Sequence, residues 1–175
     1  MDNGSVGNKQ SQFEALIIPH AAGLLRFARR LCGSKEVAED LVQEALLRAW
    51  RGIDKLRDTS NPRAWVFRIL INTWYSEGRR RNTRPVESPL SEAIEARQTA
   101  PGGDDELLQA LTRLPDDQRT VLLLSVVEGF TGQEIGTMLE IPLGTVMSRL
   151  SRARGGMRAL LSGKMENRKA GVGLQ

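Results

Sequence analysis

The sequence predicts an all-α protein made of two small helical domains that are joined by a flexible linker. Two observations support this fold class. Apolar residues recur at helical spacing along most of the chain, and no segment alternates in the way that strands do. A segment rich in proline and glycine, residues 82–104, then interrupts that spacing. We expect helical domains at 11–81 and 105–162, with a disordered N-terminus at 1–10 and a frayed tail at 163–175.

The composition excludes several classes of protein. Among 175 residues Cys32 is the only cysteine, so neither a disulfide framework nor a cysteine-based metal site is expected. No segment approaches the ~20 apolar residues that a membrane span needs, and the polar N-terminus lacks the apolar part of a signal peptide. These features predict a cytoplasmic protein. The net charge is +4, and basic residues concentrate in 145–169 and around Arg79.

The first domain begins with apolar residues at helical spacing from Phe13 onward. Pro19 is expected to split this segment into a short helical turn and a longer helix, and Gly33 is a suitable end for that helix. Ser34 is then a suitable cap for a helix over about 35–51.

The helix over 35–51 has one apolar side and one polar side. Its polar surface consists of Asp40, Gln43, Glu44 and Arg48. A solvated surface is the ordinary interpretation of such a pattern, and a surface that docks on a partner is the alternative. The local sequence does not decide between them.

A third helix is predicted from Asn61-Pro62, a cap followed by a first-turn proline, to about Arg79. Half of the aromatic residues of the chain lie in it, among arginines. Aromatic rings and cations together suit unstacked bases, although the rings could equally belong to the core. We favour the core for Trp65 and leave the choice open for Trp74 and Tyr75.

The second domain is predicted to begin with a helix over 106–113 and a second helix from Pro115-Asp116. The apolar run VLLLSVV in that second helix should form the core of the domain and end at Gly129. Thr131 and Glu134 then form a capping box, which begins the first helix of a helix-turn-helix. Pro142 ends that helix, and Gly144 offers a permissive backbone position before the next one.

The second helix of the helix-turn-helix has the two faces that a DNA-recognition helix needs. An apolar seam is formed by Val146, Leu150, Ala153 and Met157. The opposite face presents Thr145, Ser148, Arg149 and Arg152. Arginine can read guanine edges in the major groove, and hydroxyls can contact phosphates or bases. An amphipathic helix pair with a solvated basic side is the alternative.

Nothing in the sequence indicates an enzyme. His20 is the only histidine and has no evident acidic or cysteine partner nearby in the sequence. The acidic residues lack the spacing of metal ligands, and no glycine-rich phosphate loop is present. We therefore expect no catalytic residues, no metal and no cofactor.

Four motifs, in order along the chain, resemble those of the extracytoplasmic-function sigma factors, small two-domain members of the bacterial sigma-70 family. They are AEDLVQEALLRAW (38–50), NPRAWVFRILINTWYSEGRRR (61–81), LPDDQRTVLLL (114–124) and GTVMSRLSRAR (144–154). The resemblance covers about residues 12–162. It implies a sigma region 2 domain, a sigma region 4 domain and a role in directing core RNA polymerase to promoters.

The resemblance also implies roles for individual residues. The residues that match the polymerase-docking helix are Asp40, Gln43, Glu44 and Arg48. Loop 56–61 and Asn72 match the part that captures a flipped base of the −10 element, and the implied −10 residues are Asn61, Arg63, Asn72, Trp74, Arg79, Arg80 and Arg81. The −35 element would be read by Thr145, Ser148, Arg149 and Arg152. Met147 departs from the charged or polar residue that many relatives carry there.

The implied partners are core RNA polymerase, promoter DNA and an anti-sigma factor. NTWYSEGRRR with NPRAWVFRIL is similar to the subgroup that runs general stress responses in alphaproteobacteria. Two other functions remain open at this point. One is a decoy that binds an anti-sigma factor, and the other is a regulator that binds DNA through its helix-turn-helix without polymerase.

Overall fold

The computed structural model describes residues 3–56, 61–83 and 103–171, with side chains over 7–56, 61–79 and 106–162. No strand occurs in these ranges, and the predicted all-α fold class is confirmed. The helices are α1 (Asn3–Leu16), α2 (Ala21–Cys32), α3 (Lys35–Gly52), α4 (Pro62–Thr83), α5 (Gly103–Arg113), α6 (Asp116–Leu122), α7 (Gly132–Leu139) and α8 (Leu143–Gly171). Short 3-10 turns lie at Ile18–His20 and Ile53–Lys55, and a π-helical turn, Leu123–Val127, follows α6.

The first part of α1, residues 3–10, lies where the sequence predicts disorder. Helix α1 begins at Asn3, and tertiary contacts rather than an apolar stripe of its own hold it. Lys9 forms an ion pair with Asp54 and lies 5.7 Å from the ring centre of Trp50. The ring of Phe13 packs edge-on against Trp50, with 5.2 Å between ring centres. Such long-range contacts cannot be deduced from the polar sequence of the segment.

Three further helix ends differ from the predicted limits. Helix α8 continues to Gly171, through most of the segment that was predicted to fray. Helix α4 ends at Thr83 and α5 begins at Gly103, so both extend slightly into the predicted linker. Residues 84–102, the rest of that linker, lie outside the described residues.

In the first domain, local signals set the helix ends as predicted. Gly33 adopts a left-handed conformation with φ of +70° and ends α2. The Ser34 hydroxyl accepts a hydrogen bond from the Val37 backbone N–H at 3.4 Å, capping α3. The Asn61 side-chain oxygen likewise accepts from the Ala64 N–H at 2.9 Å. Helices α2, α3 and α4 then pack their apolar sides into one core.

In the second domain, α6 and α7 pack on α8. The apolar run of the second helix is only partly buried. Leu123 and Leu124 are buried, whereas Val126 and Val127 are exposed. Seven consecutive side chains point around the whole circumference of a helix, so a helix that packs on one side cannot bury them all, and the uniformly buried run that the sequence predicts does not form.

The helix-turn-helix is built largely as predicted. The capping box is complete: Thr131 Oγ1 accepts from the Glu134 N–H at 3.3 Å, and Glu134 Oε2 accepts from the Thr131 N–H at 2.8 Å. The turn differs from the prediction in one respect. The left-handed residue is Glu140, with φ of +55°, whereas Gly144 already lies in the first turn of α8.

The two domains pack against each other. Helix α4 of the first domain contacts α7, and α2 contacts α5. Three aromatic rings join the two cores in a chain of edge-to-face contacts. Phe67 lies between Phe27 and Phe130, with ring centres 5.4 and 5.5 Å apart. Helix α4 therefore lies directly against the second domain.

Candidate nucleic-acid interface

Two of the candidate −10 residues, Asn61 and Asn72, lie on one side of α4, whereas Arg63 and Trp74 lie on the opposite side. Asn61, Trp65, Arg68 and Asn72 follow one another at intervals of four, three and four residues, which places them on the same side of the helix. Asn61 and Asn72 are about 16 Å apart along the helix axis, at a rise of about 1.5 Å per residue. Asn72 is exposed, and the other three are half-buried.

A cavity of about 460 Å³ lies between this side of α4 and the second domain. Trp65, predicted to be a core residue, instead lines the cavity and is only half-buried. The complete lining consists of Leu56, Asn61, Ala64, Trp65, Arg68, Gln133, Glu134, Thr137 and Met138. The cavity thus joins the predicted base-capture region of the first domain to α7.

Carboxylates of the second domain contact two candidate −10 residues, Asn61 and Arg63, and the neighbouring Arg68, and we call these three residues the −10 surface. The guanidinium of Arg63 donates to the Glu128 backbone carbonyl at 2.7 Å and to the Glu128 carboxylate at 2.8 Å. The guanidinium of Arg68 pairs with the Glu140 carboxylate. Asn61 Nδ2 lies 3.5 Å from a carboxylate oxygen of Glu134.

The contact between Arg63 and Glu128 is the most enclosed of the three. The Glu128 side chain is 8% exposed. The guanidinium carbon of Arg63 lies 4.3 Å from the ring centre of Phe130 and 5.4 Å from that of Phe67. Arginine stacked on an aromatic face gains attraction from the ring quadrupole. Arg63 therefore binds the second domain in two ways, by an ion pair with Glu128 and by a cation–π contact with the ring of Phe130.

The electrostatics of the interface follow from these contacts. Hydrogen bonds from the Thr131 backbone and hydroxyl, with smaller contributions from Asn61 and Arg63, lower the pKa of Glu134. Burial, together with the nearby positive charge of Arg63, lowers the pKa of His20. Burial raises the pKa of Tyr75, whose hydroxyl donates to Thr120 Oγ1 at 3.1 Å across the domain interface.

The remaining −10 candidates are not gathered at the cavity. Trp74 is only 8% exposed and belongs to the core, so an unpaired base cannot stack on it in this arrangement. The sequence could not distinguish Trp74 from Trp65, because both lie in an aromatic, arginine-rich helix. Arg79 is exposed. The side chains of Arg80 and Arg81 lie outside the described residues.

The candidate polymerase-binding surface is on the outer side of α3. Asp40 and Gln43 are exposed, and Glu44 pairs with Arg48 at 2.7 Å. Leu47 is 50% exposed beside them, which the sequence analysis missed. Its position four residues after Gln43 and outside the apolar stripe was the available signal.

The recognition helix α8 buries its apolar seam as predicted, with Val146, Leu150, Ala153 and Met157 all in the core. Two of the four residues that are predicted to read bases are not freely exposed. Arg149 Nε lies 3.0 Å from an Asp117 carboxylate oxygen, and Thr145 is half-buried. Ser148 and Arg152 are exposed.

Models of known families match both domains. The sigma-70 region 2 model matches residues 16–84, and a sigma-70 region 4 model matches residues 104–155. The chain is 37% identical to the ECF RNA polymerase sigma factor EcfG of Rhodopseudomonas palustris over 83% of this chain and 82% of the relative. It is 36% identical to the ECF sigma factor SigL of Mycobacterium tuberculosis over 91% and 94% of the two chains.

A solved structure of a sigma factor, RpoE of Bartonella quintana in complex with the anti-sigma factor NepR, is similar in fold. The TM-score is 0.71 at 32% identity, covering 86% of this chain and 96% of that one. Two sigma regions in order, with these relatives, establish the class of protein. The chain belongs to the extracytoplasmic-function sigma factors of the sigma-70 family, which act in transcription initiation. No helix in the described part of the chain is long and apolar enough to cross a membrane.

Proposed function

We propose that this sigma factor directs core RNA polymerase to promoters by reading a −10 and a −35 element, one with each domain. The observation that supports this division is the order of the two matched regions, each of which contains a helix that the sequence predicts to contact DNA. The first domain docks on polymerase through α3 and holds the melted −10 strand along α4. The second domain places α8 in the major groove at −35. Catalysis belongs to the polymerase, and the site of action is the cytoplasm.

The described arrangement corresponds to a closed form that does not hold −10 DNA. Glu128 and Glu140 compete with phosphates for Arg63 and Arg68, and α7 lines the cavity beside Trp65. The outer side of α3 stays exposed in the same arrangement. Polymerase can therefore dock first, and separation of the domains then exposes the −10 surface.

An anti-sigma factor is the proposed inhibitor of this chain. The similar structure from Bartonella quintana is a sigma factor bound to an anti-sigma factor, and EcfG is among the relatives. Together with the motifs in α4, these likenesses favour a role in a general stress response. A decoy would not need the basic, exposed side of α8, and a regulator without polymerase would not need the first domain.

Run-off transcription with purified bacterial core polymerase tests the function. A pool of genomic promoter fragments is transcribed with and without this protein. Start sites that occur only with the protein, sharing two spaced elements, are the expected result. Failure to bind core polymerase and to produce any new start site would overturn the proposal.

Leu47→Glu tests the docking surface on α3. A carboxylate in place of an exposed apolar side chain at the centre of a partner contact should weaken polymerase binding at least about tenfold, as hot-spot residues do. Binding is measured by titrating labelled sigma factor with core polymerase. Ile18→Glu is the matched control, because Ile18 is similarly exposed but lies outside α3. Equal binding by both variants, with unchanged thermal unfolding, would remove Leu47 from the interface.

A further inference from the structure

The first turns of α8 expose apolar side chains where base-reading groups are expected. Leu143 is 46% exposed and Met147 is 53% exposed. In a helix-turn-helix, the N-terminal residues of the second helix are the ones that contact base edges. The exposed side chains that lead into the groove are therefore largely apolar.

The polar groups of the same turns are engaged within the protein. The Ser148 hydroxyl donates to the Thr145 carbonyl at 3.0 Å and accepts from Arg152 at 3.2 Å. Arg149 is held by Asp117 on α6 at 3.0 Å. Arg149 would have to leave Asp117 before it could read a base, whereas the side chains of Leu143 and Met147 are about half exposed and have no hydrogen bond or ion pair to break.

Gly132 at the start of α7 supports this apolar pair. A Cβ atom at residue 132 would lie 2.9 Å from Leu143 Cδ1 and 3.7 Å from the sulfur of Met147. The absent side chain thus lets both residues lie across the start of α7. At Gly144 on α8, a Cβ would meet nothing within 4 Å, so DNA can approach the backbone closely there.

The major groove offers one apolar group at its base edges, the C5 methyl of thymine. Methionine suits such a contact because its unbranched thioether adapts to the shape that it meets. We propose that Met147, supported by Leu143, reads a thymine methyl group in the −35 element. This inference rests on the proposed function, because it assigns a specificity residue to the −35 contact.

Deoxyuridine substitution tests the proposal, because it removes the methyl group and leaves the hydrogen bonds of the base pair intact. Each thymine on either strand of the −35 element, in a promoter found by run-off transcription, is replaced singly. Holoenzyme binding to each duplex is then measured. Loss of one buried methyl contact should weaken wild-type binding about three- to fivefold at one position.

Variants at Met147 identify the residue that senses the methyl group. Met147→Ala should bind the thymine and deoxyuridine duplexes equally, and Met147→Leu should keep most of the difference. Leu107→Ala, which truncates an exposed leucine on α5, should behave as wild type. The proposal would be overturned if no deoxyuridine replacement weakened wild-type binding. It would also be overturned if deoxyuridine weakened the binding of the wild type and of Met147→Ala equally. By contrast, indifference to a wholly scrambled −35 element would overturn the proposed function itself.

Discussion

At the scale of single residues, Glu134 contributes to two structures at once. Its carboxylate completes the capping box of α7 by accepting from the Thr131 N–H at 2.8 Å. The other carboxylate oxygen lies 3.5 Å from Asn61 Nδ2 of the first domain. The same side chain therefore stabilises the start of a helix and adds to the contact between domains.

The lowered pKa of Glu134 predicts a pH dependence of stability. Folding favours the ionised carboxylate, so its contribution is present above the ordinary value of 4.5 and is lost as pH falls through the lower folded value. We expect Glu134→Gln to have a lower melting temperature than the wild type near neutral pH. Below about pH 4.5, the melting temperature of the variant should fall less steeply than that of the wild type.

Glu14→Gln serves as the control, because Glu14 is an exposed carboxylate on α1. Thermal unfolding is followed by circular dichroism across the acidic range. Identical pH profiles for the wild type and Glu134→Gln would show that the negative charge of Glu134 adds nothing to stability.

At the scale of elements, the end of α2 is fixed by Gly33. Its φ of +70° strains any residue with a Cβ, and a Cβ there would lie 2.5 Å from Thr112 Cγ2 on α5. We expect Gly33→Ala to lower the free energy of unfolding by about 1–2 kcal/mol, the cost of the left-handed conformation, and the clash adds to it.

Gly78→Ala is the matched control for Gly33→Ala. Gly78 lies inside α4, and a Cβ there would meet nothing within 4 Å. Alanine in a helix interior is favoured over glycine by about 1 kcal/mol, so this variant should gain stability in urea unfolding. A loss in both variants would show that the effect is not specific to the left-handed backbone.

The elements that the sequence predicts well are those with local causes. The caps at Ser34, Asn61 and Thr131 form because each side chain meets a backbone N–H only three residues away. The elements that it misses have distant causes. Helix α1 depends on Asp54 and Trp50, and the turn before α8 places Glu140, rather than a glycine, in the left-handed region.

The candidate site is predictable to a similar extent. Apolar spacing identifies the buried seam of α8 and the outer side of α3. It cannot identify the carboxylates that pair with Arg63 and Arg68, because Glu128 and Glu140 lie 65 and 72 residues further along the chain. It also cannot separate Trp65 from Trp74, since only packing decides which ring lines the cavity and which enters the core.

At the scale of the whole molecule, the contact between the domains uses Arg63, which is also a proposed −10 residue. Opposite charge at Glu128 should therefore favour the separated form. We expect Glu128→Arg to remove an enclosed charge-assisted pair worth about 1.5–3 kcal/mol and to increase binding of single-stranded −10 DNA. Small-angle scattering measures the accompanying increase in radius of gyration.

A charge swap provides the control for Glu128→Arg. Adding Arg63→Glu should restore the pair in reverse and return the radius of gyration toward the wild-type value. DNA binding should not recover in that double variant, because Arg63 is itself a proposed −10 residue. A wild-type radius of gyration in the single variant would mean that Arg63 and Glu128 do not hold the domains together.

The paired carboxylates also affect how ionic strength acts on this protein. Each phosphate that an arginine neutralises releases condensed counterions, so binding normally weakens steeply as salt rises. In the proposed −10 contact, phosphates replace Glu128 and Glu140 at Arg63 and Arg68, and added salt weakens those ion pairs too. The two effects oppose each other. The slope of log affinity against log salt therefore understates the number of phosphates bound, unless it is measured on a variant whose domains are already apart.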